Sequence, residues 1–304
     1  MKSYKESLTQ FFYQLQNDIC SALETSDGRA LFKEDKWERQ GGGGGRTRVI
    51  TQGDVFEKGG VNISEVYGEL PESMMSYLQT PHRNFFACGI SLVIHPINPF
   101  VPTVHANYRY FELYDSEQNV VDQWFAGGSD LTPYYLFEED AIHFHQTQKG
   151  VCDHFDSSLY PKYKKACDEY FFNHHRDEAR GIGGIFFDYL RPQEGKTSDD
   201  WFNFTTSVGE RFIQSYIPIV ERRKTASYTE AHKVWQEIRR GRYVEFNLIH
   251  DKGTLFGLKT NGRIESILMS LPATVRWEYN HQPEEGSEEA KLLTFLKQPR
   301  EWVK

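Results

Sequence analysis

The chain is poor in the residues that build cross-links and membrane spans. Four cysteines, Cys20, Cys88, Cys152 and Cys167, are spread over 304 residues. No two form a C-x-x-C pair, which excludes a zinc ribbon and a dithiol redox motif. Their spacing also excludes a three-cysteine iron–sulfur loop. Scattered cysteines in a chain of this size read as reduced, buried thiols, and the expected location is the cytoplasm. No apolar run approaches the roughly 18 residues that a membrane span needs. The stretch from Met1 to Phe12 has neither an apolar signal core nor an Arg-rich transit pattern. Basic charge is short as well. Thirty-five Lys and Arg against 43 Asp and Glu give a net charge of −8, which argues against nucleic acid as a partner. An acidic ligand stays compatible, because a cleft can gather Arg while the rest of the surface is acidic. The run Gly41–Gly45 lacks the Gly-Lys-Ser/Thr ending of a phosphate loop, and no HExxH occurs.

Aromatic residues, by contrast, make up 15% of the chain. A Phe- and Tyr-heavy core accounts for most of them, with room left for a large, flat, apolar ligand. Residues 3–24 predict an amphipathic helix with Leu8, Phe11, Phe12, Leu15, Ile19 and Leu23 on one face and Ser3 and Glu6 as a capping box. Gly41–Gly45 predict a loop. Strands are expected at 85–95 and 103–114, joined by the proline-rich turn Pro96–Pro102. Helices are expected at 136–152, 160–176, 198–222 and 227–240. Gly181–Gly184 lead into a strand, the reverse of a dinucleotide fingerprint, which needs its glycines between strand and helix. Residues 242–271 read as an antiparallel meander, with a type I′ turn at Asn261-Gly262. This order of elements predicts an α+β fold with a mostly antiparallel sheet. No linker divides the chain, so a single domain, 1–304, is expected.

The chemistry concentrates in the first two strands. Side chains alternate faces along a strand, so Ser91, Val93 and His95 share one face, and His105, Asn107 and Arg109 share one on the next strand. Leu92, Ile94, Ala106, Tyr108 and Tyr110 are the better core-facing set. If the polar rows align, one sheet face presents two His, a Ser, an Asn and an Arg. A solvated face would carry polar residues too, but two His and an Arg at alternating positions are unusual for solvation alone. Within the helix at 136–152, the apolar line favours His145 over His143 as the inward residue. His174 and His175 both remain open. Asp130 reads as part of a turn with Gly127-Gly128, and Arg263 as a cation at a hairpin tip.

The stretch from Tyr170 to Asp188, with its core Asn173-His174-His175-Arg176-Asp177-Glu178-Ala179-Arg180-Gly181-Ile182-Gly183-Gly184, closely resembles the signature of aerobic, oxygen-dependent coproporphyrinogen III oxidases. The segments Ile94 to Tyr110, Asp130 to His145 and Arg239 to Trp277 resemble that family too, and the likeness covers essentially the whole chain. It implies a large, mostly antiparallel sheet covered on both faces by helices, and a homodimer with its interface near residues 243–278. It implies the oxidative decarboxylation of two propionates of coproporphyrinogen III to vinyl groups, giving protoporphyrinogen IX in haem biosynthesis, with O2 as acceptor and no organic cofactor. By position, His105, Arg109 and Asp130 match catalytic residues. Ser91, Asn107, Tyr108, Arg109, Asn261, Gly262 and Arg263 match substrate contacts. His95, His105, His145 and His175 match proposed ligands of a divalent metal such as Mn, whose participation stays open. In this reading Arg109 holds a propionate and Asp130 meets a pyrrole NH. Two other readings are a metal-dependent oxygenase or hydrolase built on the His set, and a non-catalytic tetrapyrrole carrier.

Overall fold

The computed structural model describes residues 1–259 and 262–303. The chain opens with helix α1 (Lys5–Asp27) and strands β1 (Lys33–Glu38), β2 (Gly43–Thr51) and β3 (Phe56–Glu69). Helix α2 (Glu72–Leu78) leads to β4 (Asn84–Pro96), β5 (Thr103–Tyr114) and β6 (Val120–Thr132). Helices α3 (Glu138–Phe155) and α4 (Leu159–Tyr170) follow, then the two-residue strands β7 (Phe172–Asn173) and β8 (Glu178–Ala179), and β9 (Gly183–Leu190). The remainder is helical: α5 (Ser198–Glu210), α6 (Phe212–Arg223), α7 (Glu230–Ile249), α8 (Lys252–Lys259), α9 (Ile264–Leu268) and α10 (Glu288–Lys297).

Among the described residues seven strands form one antiparallel sheet in the order β1-β2-β3-β4-β5-β6-β9. Short reversals join consecutive strands from β1 to β6 except β3 and β4, which α2 connects, whereas β9 returns to the edge of β6 after α3 and α4. The expected α+β class, with a sheet covered on both faces by helices, is what the structure has. The first face carries Val61, Ile63, Ile90, Leu92, Ile94, Ala106, Tyr108, Tyr110, Ile185 and Phe187, buried in one core with Leu8, Phe12, Leu15 and Ile19 of α1. Helices α3, α5 and α6 complete that core through Phe144, Phe204 and Tyr216. The second face is roofed by α7 and α9 and the loop before β9. Tyr243 meets His95 edge-on, and Ser266 O accepts from Asn62 Nδ2 at 2.9 Å. Farther along the same face Met74, Met75 and Leu78 of α2 pack over Phe85, Leu113 and Trp124.

The structure overturns several local expectations. The meander expected at 242–271 is helical. Helix α7 runs through Gly241, where glycine leaves room for Arg276: an added Cβ would sit 2.9 Å from its carbonyl oxygen. The alternation Val244, Phe246, Leu248 mimicked a strand, while Trp235, Arg239 and Tyr243, spaced by four, are the buried stripe of a helix. The expected turn at Asn261-Gly262 falls partly outside the described residues; Gly262 N donates to Gly257 O at 2.8 Å. Gly43, Gly44 and Gly45 are strand rather than loop. Helix 160–176 stops at Tyr170, where the β7–β8 hairpin begins, and 198–222 divides into α5 and α6 at Arg211. The capping box at Ser3 is absent: α1 begins after Tyr4, with no side-chain cap.

Candidate active site

Register decides what the second face presents. Ser91 pairs with Asn107, Val93 with His105 and Gly89 with Arg109 across β4 and β5. The polar rows therefore align as the alternation predicted. On the next strand His105 faces Asp130, Asn107 faces Gly128 and Arg109 faces Ala126. The stretch around Gly127-Gly128 is accordingly strand β6, not the expected turn. At Gly128 φ is +152°, and an added Cβ would fall 2.1 Å from Ile185 O, so β6 and β9 can approach only over glycine.

Asp130 is 1% exposed. His105 Nδ1 lies 2.9 Å from Asp130 Oδ1, and Arg180 Nη2 donates to both carboxylate oxygens at 2.8 and 2.9 Å. Burial alone would raise the Asp130 pKa. The charge of Arg180 and the hydrogen bond from His105 outweigh it and hold the carboxyl below the usual range. An ionised carboxylate only accepts, so His105 carries its proton on Nδ1. His105 Nε2 is the nitrogen left toward the cleft, and the His105 side chain is 21% exposed. Arg180 itself is buried between Phe171, Tyr243 and Phe246, its guanidinium 4.0 Å from the Phe171 ring centroid, and it also donates to Asn247 Oδ1 at 3.0 Å.

Arg109 is exposed, its guanidinium against Gly253 at the start of α8. Ser91 and Asn107, paired across β4 and β5, are half-buried. Arg263 sits over the β1 side, paired with Asp35 and donating to Ser266 Oγ at 2.9 Å. The Tyr108 side chain is in the first-face core, so only the backbone of this residue faces the cleft side of the sheet. Asn261 lies outside the described residues.

Sequence reasoning missed two site residues. Arg180 was quoted within the signature but given no role; a cation one position before Gly181 was the available signal. Asp251 was read only as part of the meander expected at 242–271. It follows α7, accepts from Tyr170 OH at 3.1 Å and from Thr254 N at 2.7 Å, and stands over the floor. Burial would raise its pKa, but the Thr254 amide and the nearby His105 hold it low.

A family model for coproporphyrinogen III oxidase matches residues 7–302. The chain belongs to that family. Among curated proteins it is 53% identical to the oxygen-dependent coproporphyrinogen-III oxidase, chloroplastic, of Nicotiana tabacum, over 95% of this chain and 75% of that protein. It is 52% identical to coproporphyrinogen-III oxidase 1, chloroplastic, of Arabidopsis thaliana, over 95% of this chain and 76% of that one. Against the oxygen-dependent enzyme of Hordeum vulgare, also named chloroplastic, the figures are 51%, 99% and 80%.

The four histidines that family resemblance implied as metal ligands do not meet. His95 and His145 are fully buried, and their ring nitrogens are engaged elsewhere. His95 Nε2 donates to Ser270 O at 2.8 Å and Nδ1 contacts Thr103 Oγ1 at 3.2 Å. His145 Nε2 donates to Ile182 O at 3.0 Å and Nδ1 accepts from Tyr160 OH at 2.9 Å. Burial pushes both imidazoles down to about 3. His175 lies at the surface between His250 and Glu245, each at 2.9 Å. Among the described residues no three His, Cys, Asp or Glu side chains are arranged to hold an ion. The set therefore does not fit a shared metal.

Proposed function

We propose that coproporphyrinogen III binds on the second face of the sheet, between the β4–β6 floor and the α7–α9 roof, and that its propionates are oxidatively decarboxylated there. The observation that carries this reading is the buried chain Arg180–Asp130–His105, ending in an imidazole nitrogen that opens onto a floor with Arg109 beside it. Arg109 binds a propionate with its planar fork. Arg263 lies three to four inter-strand spacings away, roughly 14–19 Å at about 4.8 Å per strand. A tetrapyrrole with propionates around its rim can engage both. Asp130 is enclosed beneath His105, so the contact with the pyrrole NH falls to His105 Nε2, and Asp130 fixes its tautomer and stabilises the imidazolium. This reassigns the role that the sequence reading gave to Asp130.

Each propionate loses CO2, one proton and two electrons as its CH2–CH2 unit becomes a vinyl group. Removing the pyrrole proton enriches the ring in electrons, which lets the macrocycle pass the pair to dioxygen directly; with two protons one dioxygen becomes hydrogen peroxide. No organic cofactor is needed on this route. The chain acts as a homodimer in this reading, supported by Leu248, Ile249, Leu258, Ile264 and Trp277, which are exposed within the 243–278 region. One domain, 1–304, and a cytoplasmic location complete it; the four cysteines are free and buried, and no described helix is long and apolar enough to cross a membrane. The test is stoichiometric. Purified chain given coproporphyrinogen III should release two CO2 per protoporphyrinogen IX with dioxygen consumed, and none under argon. Tetrapyrrole binding without CO2 would make it a carrier instead.

A further inference from the structure

We infer that His145 and Trp302 are positioning residues for the reaction, clamping one backbone carbonyl, that of Ile182, and through it the Arg180–Asp130–His105 chain. The inference rests on the reading of the second sheet face given above. Two N–H donors from distant parts of the chain converge on this oxygen. His145 Nε2 of α3 donates to it at 3.0 Å, and Trp302 Nε1 at 3.3 Å. A carbonyl oxygen has two lone pairs, and both are taken. The two rings stack at 6.2 Å between centroids and 23° between planes. The Ile182 carbonyl only accepts, so the His145 proton sits on Nε2, and Nδ1 accepts from Tyr160 OH at 2.9 Å.

The other side of the same residue is tied to the site. Ile182 N donates to Leu131 O at 2.9 Å, and Leu131 directly follows Asp130. Two residues upstream, Arg180 N donates to Phe171 O at 2.8 Å while its guanidinium grips Asp130. Glycines flank Ile182 at Gly181 and Gly183, so the segment has little stiffness of its own. Its position is set by the contacts that hold it, with Leu131 O on one side and the two donors to the Ile182 carbonyl on the other. A shift of even an ångström there would move Arg180 relative to Asp130, and with it the His105 ring, at a catalytic cost of up to roughly a hundredfold. Substrate anchoring at Arg109, on β5, would be untouched. The expected signature is thus a fall in kcat with KM nearly constant.

The test uses the full chain in steady-state oxygen uptake with coproporphyrinogen III, alongside thermal unfolding and Mn2+ equilibrium dialysis. His145→Ala should lower kcat roughly ten- to hundredfold, with KM changed by less than about twofold. His145→Gln, which returns an N–H donor at the place of Nε2, should recover most of that loss. Trp302→Phe keeps the ring and removes only the donor, so it should lower kcat by about two- to threefold, and it serves as the test if His145→Ala does not fold. A folded His145→Ala with normal kcat would overturn the inference. So would His145→Gln as inactive as His145→Ala, if wild type binds one Mn2+ per chain and the Gln variant none, since His145 would then be a ligand. Asp130→Asn separates the two claims: near-normal turnover in that variant defeats the reading of the site itself, whereas an inactive Asp130→Asn beside a normal His145→Ala defeats only the clamp.

Discussion

The two faces of the sheet are built from the same strands and obey opposite rules. On the first, Ile90, Leu92, Ala106, Tyr108 and Tyr110 meet α1 in a closed apolar core. On the second, one residue along, Ser91, His105, Asn107 and Arg109 meet a roof that adds Arg180 and Asp251. Stability resides in the first face, and in the second it is bound up with chemistry. Asp130 and Arg180 are both fully buried charges, and such a pair contributes little net stability compared with apolar packing. What it does contribute is a fixed imidazole.

Breaking one half of that pair should give the largest effect. Arg180→Leu leaves the buried Asp130 carboxylate without its cation, with only the His105 hydrogen bond remaining, and denaturant unfolding should show a loss of about 3–5 kcal/mol together with lost turnover. The double variant Arg180→Leu with Asp130→Asn should regain much of the stability and none of the activity. On the first face, Phe12→Ala should cost a similar 3–5 kcal/mol by leaving a cavity, yet activity per folded molecule should stay within about twofold. If Phe12→Ala impaired kcat as deeply as Arg180→Leu, the division of labour between the faces would be wrong.

Arg109→Lys sharpens the comparison within the second face. The charge remains and the planar fork is lost, so KM should rise about tenfold with unfolding unchanged. A normal KM would remove Arg109 from propionate binding.

A separate effect concerns pH. His95 and His145 are held neutral, with pKa values of about 3 in the fold against about 6.5 unfolded. The unfolded chain therefore binds more protons between those values. Their contribution is complete above pH 6.5 and is lost as pH falls from 6.5 toward 3, by at most about 1.4 kcal/mol per pH unit for each group. Urea unfolding between pH 7 and 5 should show this slope, and His145→Gln should halve it. A slope unchanged in His145→Gln would mean that His145 is protonated in the fold.

The floor of the site was legible because strands write their faces directly into sequence. Alternation through Ser91–His95 and His105–Arg109, plus one correct register, was enough to bring Ser91, His105, Asn107 and Arg109 together. Asp130 was named from family resemblance, and its depth beneath His105 was not foreseeable, since it follows from β6 pairing with both β5 and β9. The roof was misread for a physical reason. Val244, Phe246 and Leu248 alternate, and Gly241, Gly253 and Gly262 look like turn glycines, yet Gly241 is there to admit Arg276 and the segment is helical. Misplacing α7 and α8 hid Asp251, and ending α4 too late hid the hairpin that delivers Arg180. The histidines show the opposite limit. His145 was correctly read as inward, but no spacing could tell a ligand from a residue holding a carbonyl.

The central claim is that Asp130 acts on the reaction through His105 rather than merely shaping the sheet. Asp130→Asn keeps the side chain's size and one acceptor oxygen but removes the charge that fixes and supports the imidazole. The decisive measurement is CO2 release from coproporphyrinogen III by this variant, with substrate binding followed in parallel by fluorescence quenching and folding by thermal unfolding. The account predicts a folded protein that binds substrate within a few-fold of wild type and turns over roughly a hundredfold more slowly, or worse. Near-wild-type turnover in folded Asp130→Asn would contradict it and leave Asp130 as a structural partner of Arg180.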